Sequence, residues 1–187
     1  MSRYRRLFVP GGTYFFTVVT LNRLPFLTES LARACLHGAI EQTRKSRHFR
    51  IVAFCLLPDH FHTIWTLPED DAHFSIRLRQ IKGLFSRQYM MQSACGKPHP
   101  TQSRTREQRG RKPVWQTRFW EHLIRDDEDF RRHVDYTHYN PVKHGLVGTV
   151  ADWKWSTFHR YVKDGVYSEE WGKEPPEWLN GFRCAGE

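Results

Sequence analysis

The apolar residues of this 187-residue chain recur with two periods, one typical of strands and one typical of helices. Runs rich in aromatic and β-branched residues predict strands over 13–22, 49–57, 60–67 and 114–124. Apolar positions three and four residues apart predict helices over 30–46 and 74–92, and a last helix from Asp126 or Asp127 to about Tyr139, ended by Pro141.

The order of these elements is strand, helix, strand, strand, helix, strand, helix. The first six match the split β-α-β pattern, so we predict an α+β, ferredoxin-like fold with a four-stranded antiparallel sheet. In such a fold the helices lie on one face of the sheet. We therefore expect the other face to be free for a ligand or a partner.

Two segments differ from this pattern. Residues 93–113 contain almost no apolar side chains and many basic ones, which predicts a basic loop within a single domain spanning 1–150. The C-terminal tail, 151–187, is too aromatic to be simply disordered. We expect part of it to pack on or near the domain through Trp153, Trp155, Phe158, Tyr161 and Trp171.

The charge balance points to a polyanionic partner. The chain has a formal net charge of +9, and neutralising phosphates with basic side chains releases condensed counterions. Aromatic residues make up 14% of the chain, and unpaired bases stack on aromatic rings. On the helix predicted over 74–92, Arg77 and Lys82 lie on the basic flank and are candidate phosphate contacts.

The cellular compartment is indicated by features that the sequence lacks. No apolar run reaches the ~18–20 residues needed to cross a bilayer, and no apolar signal core follows the basic start. The four cysteines are scattered and form no C-x-x-C pair. These features predict a cytoplasmic protein with reduced thiols and no membrane partner.

A pair of histidines marks the third predicted strand. His60 and His62 are two residues apart, so their imidazoles point to the same face of a sheet and can meet at one metal ion. Asp59 can orient one of them or bind directly. An ordinary pair of exposed strand histidines is the alternative, and two ligands alone are too few for a tight site.

The last predicted helix carries a second group of polar residues. His133, Tyr136 and Asn140 follow spacings of three and four, which places them on one face beside the core stripe. A phenol on that face can reach a substrate phosphate, and Asn140 can supply a third, oxygen ligand beside the histidines. A half-buried packing tyrosine is the alternative. We leave Lys143 and His144, which follow the helix, outside the predicted site.

Several sequence blocks, in this order, resemble those of the REP-associated tyrosine transposases, a branch of the HUH superfamily of single-strand DNA nucleases. The resemblance covers roughly residues 3–161. It rests on Tyr4-Arg5-Arg6 with Gly11 to Thr17, on Leu57-Pro58-Asp59-His60-Phe61-His62-Thr63-Ile64-Trp65, on Ile81-Lys82, on Trp115-Gln116 with Arg118 to His122, and on Val134-Asp135-Tyr136 with Asn140 to Gly145.

The resemblance implies roles for these residues. His60 and His62 are expected to bind the metal with help from Asn140, and Tyr136 is expected to be the nucleophile. Tyr4, Arg5 and Arg6 are expected to read a short single-stranded flank beside a palindromic DNA hairpin. Both a monomer and a homodimer are compatible with the resemblance.

The resemblance also implies a mechanism. A phenol is a weak nucleophile at neutral pH, and Mg²⁺ or Mn²⁺ at the histidines would make the scissile phosphate more electrophilic. Attack by Tyr136 would give a 5′-phosphotyrosine and a free 3′-hydroxyl, a step that a later 3′-hydroxyl can reverse. Two alternatives stay open: a non-catalytic module that binds structured nucleic acid, and a metal-dependent phosphodiesterase in which water attacks.

Overall fold

The computed structural model describes residues 6–93 and 114–179, except for the side chain of residue 177. Eight helices and strands make up this part of the chain. In chain order they are β1 (Thr13–Val19), α1 (Ser30–Ser46), β2 (Arg50–Leu56), β3 (His60–Thr66), α2 (Phe74–Gln92), β4 (Trp120–Leu123), α3 (Asp127–Lys143) and α4 (Phe158–Lys163). Short 3-10 turns lie at Leu21–Arg23, Val150–Asp152 and Glu177–Leu179.

The four strands form one antiparallel sheet in the order β2-β3-β1-β4. This order follows from the two split β-α-β units, since each helix connects two parallel strands with an antiparallel strand between them. The predicted α+β, ferredoxin-like fold with a four-stranded antiparallel sheet is therefore confirmed. The helices over 30–46 and 74–92 were predicted with the bounds that the structure shows.

Both faces of the sheet are covered. The helices α1 and α2 bury the larger core on one face, which includes Phe16, Phe61 and Trp65. The opposite face, which we expected to be free, is covered by α3 through a second core of Phe15, Val52, Ala53, Ile64, Val134 and Tyr136. The third helix packs there because Phe130, Val134 and Tyr136 give it an apolar side that needs burial.

The fourth strand is much shorter than predicted. Only Trp120–Leu123 pairs with β1, while Trp115 forms an isolated bridge with Thr20. Val114 and Trp115 are nevertheless buried in the core under α2, at 4% and 6% exposure. Their apolar character reflects burial rather than strand pairing. The predicted basic loop, 93–113, lies outside the described residues apart from Ser93.

The third helix does not end before its proline. It begins at the predicted cap, where the Asp126 side chain accepts a hydrogen bond from the Asp129 amide at 2.8 Å. It continues through Pro141 to Lys143, because a proline in the last turn removes a single backbone hydrogen bond. The end is closed by Gly145 at φ +66°, whose amide bonds the Val142 carbonyl while the Leu146 amide bonds the Pro141 carbonyl.

The C-terminal segment runs along the outer edge of β2. The Leu56 amide donates to the Trp155 carbonyl at 2.9 Å, and the Thr157 amide donates to the Phe54 carbonyl at 2.8 Å. The indole nitrogen of Trp153 donates to the Leu56 carbonyl at 2.8 Å. Within 6–93 and 114–179, no helix is both long and apolar enough to cross a membrane.

Candidate active site

The two predicted histidines lie on β3, in the middle of the sheet, on the face that α3 covers. His62 is directly opposite Thr17 of β1, and His60 is opposite Val19. Both imidazoles are buried, and their ring centroids are 4.9 Å apart. The period-two alternation of the strand therefore brings both rings to one place, while Phe61 between them packs into the opposite core.

Hydrogen bonds orient both rings. His62 Nδ1 lies 3.0 Å from the Thr17 hydroxyl, and His60 Nδ1 lies 2.6 Å from Asp59 Oδ1. Burial alone would raise the pKa of Asp59, but contacts with His60 and Arg23 lower it to about 2. Because an ionised carboxylate only accepts, His60 Nδ1 must donate, so the neutral form of this ring keeps the lone pair of its Nε2 for a ligand.

Tyr136 and Asn140 bring α3 to the same place. The Tyr136 ring is fully buried, 5.4 Å from the His62 ring between centroids. Asn140 is one turn later, and its amide nitrogen donates to the Tyr136 carbonyl at 3.2 Å. The helical spacing predicted this shared face, and the continuation of α3 through Pro141 keeps Asn140 on it.

Two buried acceptors in this group have no hydrogen-bond partner. They are His60 Nε2 and Asn140 Oδ1. Buried polar atoms are almost always satisfied, so an unpartnered imidazole nitrogen on β3 and an unpartnered amide oxygen on the helix that covers β3 are what an ion bound here would explain. Two imidazoles and an amide oxygen fit a divalent ion, and the residues present are therefore consistent with the metal that the resemblance implies.

Lys143 is a site residue that the sequence reasoning left out. Its ammonium donates to the Tyr136 hydroxyl at 3.1 Å and lies 4.7 Å from the centre of the Tyr136 ring. The spacing of seven residues, two helical turns, was the signal that could have identified it. Ending the helix before Pro141 hid that signal. His144 was also left out, and its ring lies 5.2 Å from the His60 ring.

The predicted DNA contacts have different outcomes. Tyr4 and Arg5 lie outside the described residues. Arg6 pairs with the buried Glu121 at 3.1 Å and lies over the Phe119 ring at 4.1 Å. Lys82 donates to the Gln116 carbonyl at 2.6 Å. For these four residues, contact with DNA stays a prediction.

The structure corrects the prediction that Arg77 contacts a phosphate of the DNA. Its side chain is 1% exposed, and its guanidinium bonds Asp71 and the carbonyls of Arg47, His48 and His73. A cation with its donors used inside the fold does not reach a phosphate. The helical pattern placed Arg77 on the polar flank, but the turn after α1 closes over this side chain and buries it.

Comparison with known proteins gives a consistent result. No family profile matches the chain. The REP-associated tyrosine transposase of Escherichia coli is 44% identical over 183 residues, covering 98% of this chain and 98% of that protein. A Haemophilus influenzae protein assigned to the same family is 44% identical over 182 residues, covering 97% of this chain and 99% of its own length.

A solved structure agrees with the sequence relatives. It is described as a REP-associated tyrosine transposase bound to a REP hairpin, and it is 42% identical with a TM-score of 0.76. The match covers 98% of this chain and 99% of the other. The resemblance drawn from the sequence blocks is confirmed, and the chain belongs to the REP-associated tyrosine transposases.

Proposed function

We propose that the protein cuts and rejoins single-stranded DNA beside a palindromic hairpin, through a 5′-phosphotyrosine at Tyr136. As a member of a transposase family it is an enzyme. The observation that carries the proposal is the position of the Tyr136 ring, 5.4 Å from the His62 ring and in contact with the Lys143 ammonium. The hairpin-bound relative supports a hairpin as the DNA partner.

The chemistry follows from the groups around the phenol. The Tyr136 oxygen attacks the scissile phosphorus, a new phosphorus–oxygen bond forms, and the bond to the 3′ oxygen breaks. The phenol loses its proton to solvent, and the 3′ oxygen takes up a proton from solvent and leaves as a hydroxyl. Lys143 fixes the phenol oxygen and offsets its negative charge while it is the nucleophile or, on reversal, the leaving group. The phosphodiester is conserved in the covalent link, so rejoining needs no ATP.

His60, His62 and Asn140 would hold the divalent ion. When bound, Mg²⁺ or Mn²⁺ supplies positive charge beside the scissile phosphate. Asp59 holds His60 in the tautomer whose Nε2 can act as a ligand, and Thr17 holds the His62 ring. Tyr136 is fully buried, so a DNA strand reaches its oxygen only after the side chains over it move.

The proposal also covers recognition of the flank by the N-terminal arm. Arg6 is held beside β4 by its pair with Glu121, which places the start of the described chain at that edge of the sheet. From there Tyr4, Arg5 and Arg6 would contact the single-stranded flank through phosphates and base stacking.

A covalent adduct is the decisive test. A hairpin oligonucleotide with a single-stranded flank, incubated with Mn²⁺ or Mg²⁺, should leave a protein–DNA species on a denaturing gel. Tyr136→Phe should abolish this species and preserve binding, measured by fluorescence anisotropy. Tyr139→Phe is the matched control, because Tyr139 packs in a different cluster with Val150 and Phe158, and it should keep the adduct.

Two outcomes would reject the phosphotyrosine. Cleavage that persists in Tyr136→Phe would show that water attacks. Tight binding without cleavage under any divalent metal would show a binding module instead.

The metal ligands are tested separately. Mn²⁺-dependent cleavage should be lost in both His60→Gln and His62→Gln, because each substitution removes an imidazole nitrogen that would bind the ion. His37→Gln is the control, since His37 is exposed on α1 on the other side of the sheet, and it should cut normally. If the His60 and His62 variants also cut normally, the ligand assignment is wrong.

A further inference from the structure

A second group of metal-binding side chains lies at the junction of β4 and α3. It consists of His122 from β4 and of Asp129 and His133, one turn apart in α3. One ligand atom from each residue lies within 4.8 Å of the others. Asp129 and His133 are 6% and 3% exposed, and His122 is at the surface end of the group.

The carboxylate already connects the two imidazoles. Asp129 Oδ2 lies 2.8 Å from His122 Nε2. His133 Nδ1 lies 2.8 Å from the backbone carbonyl of Asp129 and 3.1 Å from Asp129 Oδ1, so this nitrogen donates and its Nε2 is the atom left to bind an ion. The two rings are stacked, with centroids 4.4 Å apart. Arg125 also donates to Oδ2, from its backbone amide at 3.0 Å and from its largely exposed side chain at 3.1 Å.

This group is separate from the Tyr136 site. The Phe15 ring stands between them, with its centroid 5.3 Å from the His62 ring and 5.1 Å from the His133 ring. The two groups lie on the same face of the sheet, but the histidines of one come from β3 and those of the other from β4 and α3.

We propose that His122, Asp129 and His133 form a second divalent-cation site that takes Zn²⁺ or a similar borderline metal. Two imidazoles and one carboxylate suit such ions, with water in the remaining position, whereas Mg²⁺ prefers oxygen ligands. The ion takes the place of the hydrogen between His122 Nε2 and Asp129, and the neutral His122 ring then carries its single proton on Nδ1. Its effect is to tie β4 to the first turn of α3. This site does not depend on the function proposed for Tyr136.

The test uses the full chain carrying His60→Ala and His62→Ala, which removes the imidazoles of the other site. After chelator treatment and dialysis against Zn²⁺, we expect one equivalent of metal to be bound through His122. At a hundred times Kd, Zn²⁺ should raise Tm by about 5–10 °C, and Mg²⁺ at the same concentration should not. Co²⁺ should give visible absorption from the bound ion.

Adding His122→Gln should weaken Zn²⁺ binding by more than about tenfold and remove the Co²⁺ absorption. His122 is the least buried ligand, so this variant is expected to fold, which circular dichroism checks. His159→Gln, at an exposed histidine of α4, is the matched control and should bind Zn²⁺ unchanged. Absence of Zn²⁺ binding in the starting variant, or equal affinity after His122→Gln, would show that the three residues are a hydrogen-bonded structural cluster only.

Discussion

At the scale of single residues, the sequence predicted the groups whose spacing has a direct geometric meaning. His60 and His62 share a face because strand side chains alternate, and Tyr136 and Asn140 share a face because they are one helical turn apart. Lys143 could not be placed without knowing that the helix continues. The burial of Arg77 could not be predicted either, because it depends on a turn that is distant in sequence.

Lys143 gives a prediction at this scale. A hydrogen bond from a charged donor contributes about 1.5–3 kcal/mol, so Lys143→Gln should slow formation of the covalent adduct by about 10–100-fold. Lys143→Arg should restore part of the rate. Lys154→Gln, at an exposed lysine of the C-terminal segment, should have the wild-type rate, and single-turnover kinetics on the hairpin oligonucleotide measure all three. A wild-type rate in Lys143→Gln would remove Lys143 from the site.

At the scale of elements, local signals located α1 and α2, while the length of β4 and the end of α3 were predicted wrongly. The run over 114–124 is apolar because two of its residues enter the core, and periodicity alone cannot separate burial from pairing. The end of α3 was placed at the proline, whereas the effective stop is the left-handed Gly145 four residues later.

The role of Gly145 in ending α3 can be tested by measuring the free energy of unfolding. Gly145→Ala should lower the free energy of unfolding by about 1 kcal/mol, because φ is +66° and the added methyl group has no neighbour within 4 Å to compensate or to clash. Gly83→Ala is the matched control in α2, where the methyl group also meets nothing within 4 Å, and it should raise stability by about 0.5–1 kcal/mol. Urea denaturation measures both, and equal effects of the same sign would contradict the role of Gly145.

At the scale of the whole molecule, the element order was enough to predict the sheet, but not the face that α3 would cover. Two helices connect strands and must follow the split β-α-β geometry. The third helix is joined to the sheet at one end only, so its position is decided by tertiary packing against Phe15, Val52 and Ile64. That packing, which the sequence pattern does not specify, is what brings the tyrosine to the histidines.

An ion pair between the buried Arg77 and the partly exposed Asp71 makes the stability of the whole fold depend on pH. The hydrogen bond from Arg77 lowers the pKa of Asp71 from 3.8 to about 2. A lowered carboxyl pKa contributes stability above the unfolded value, and this contribution is lost as pH falls through about 4 to 2. Asp71→Asn should therefore lower the free energy of unfolding by about 1–2 kcal/mol at pH 7, after allowance for solvent screening. Near pH 2 the decrease should be much smaller.

Chemical denaturation at both pH values gives the comparison. Asp70→Asn, at the exposed neighbouring aspartate, should leave stability within about 0.5 kcal/mol of wild type at each pH. A gap between wild type and Asp71→Asn that is as large near pH 2 as at pH 7 would rule out titration of this pair as the cause.

The C-terminal segment beside β2 affects whether copies of the molecule can associate through the edges of their sheets. Trp155 and Thr157 occupy main-chain positions that a neighbouring strand would otherwise take, and the other border of the sheet is only the four residues of β4. Open borders are where sheets extend laterally into aggregates. The protein covers one edge of its sheet with its own backbone and keeps the other edge short. We expect this arrangement to limit edge-to-edge aggregation.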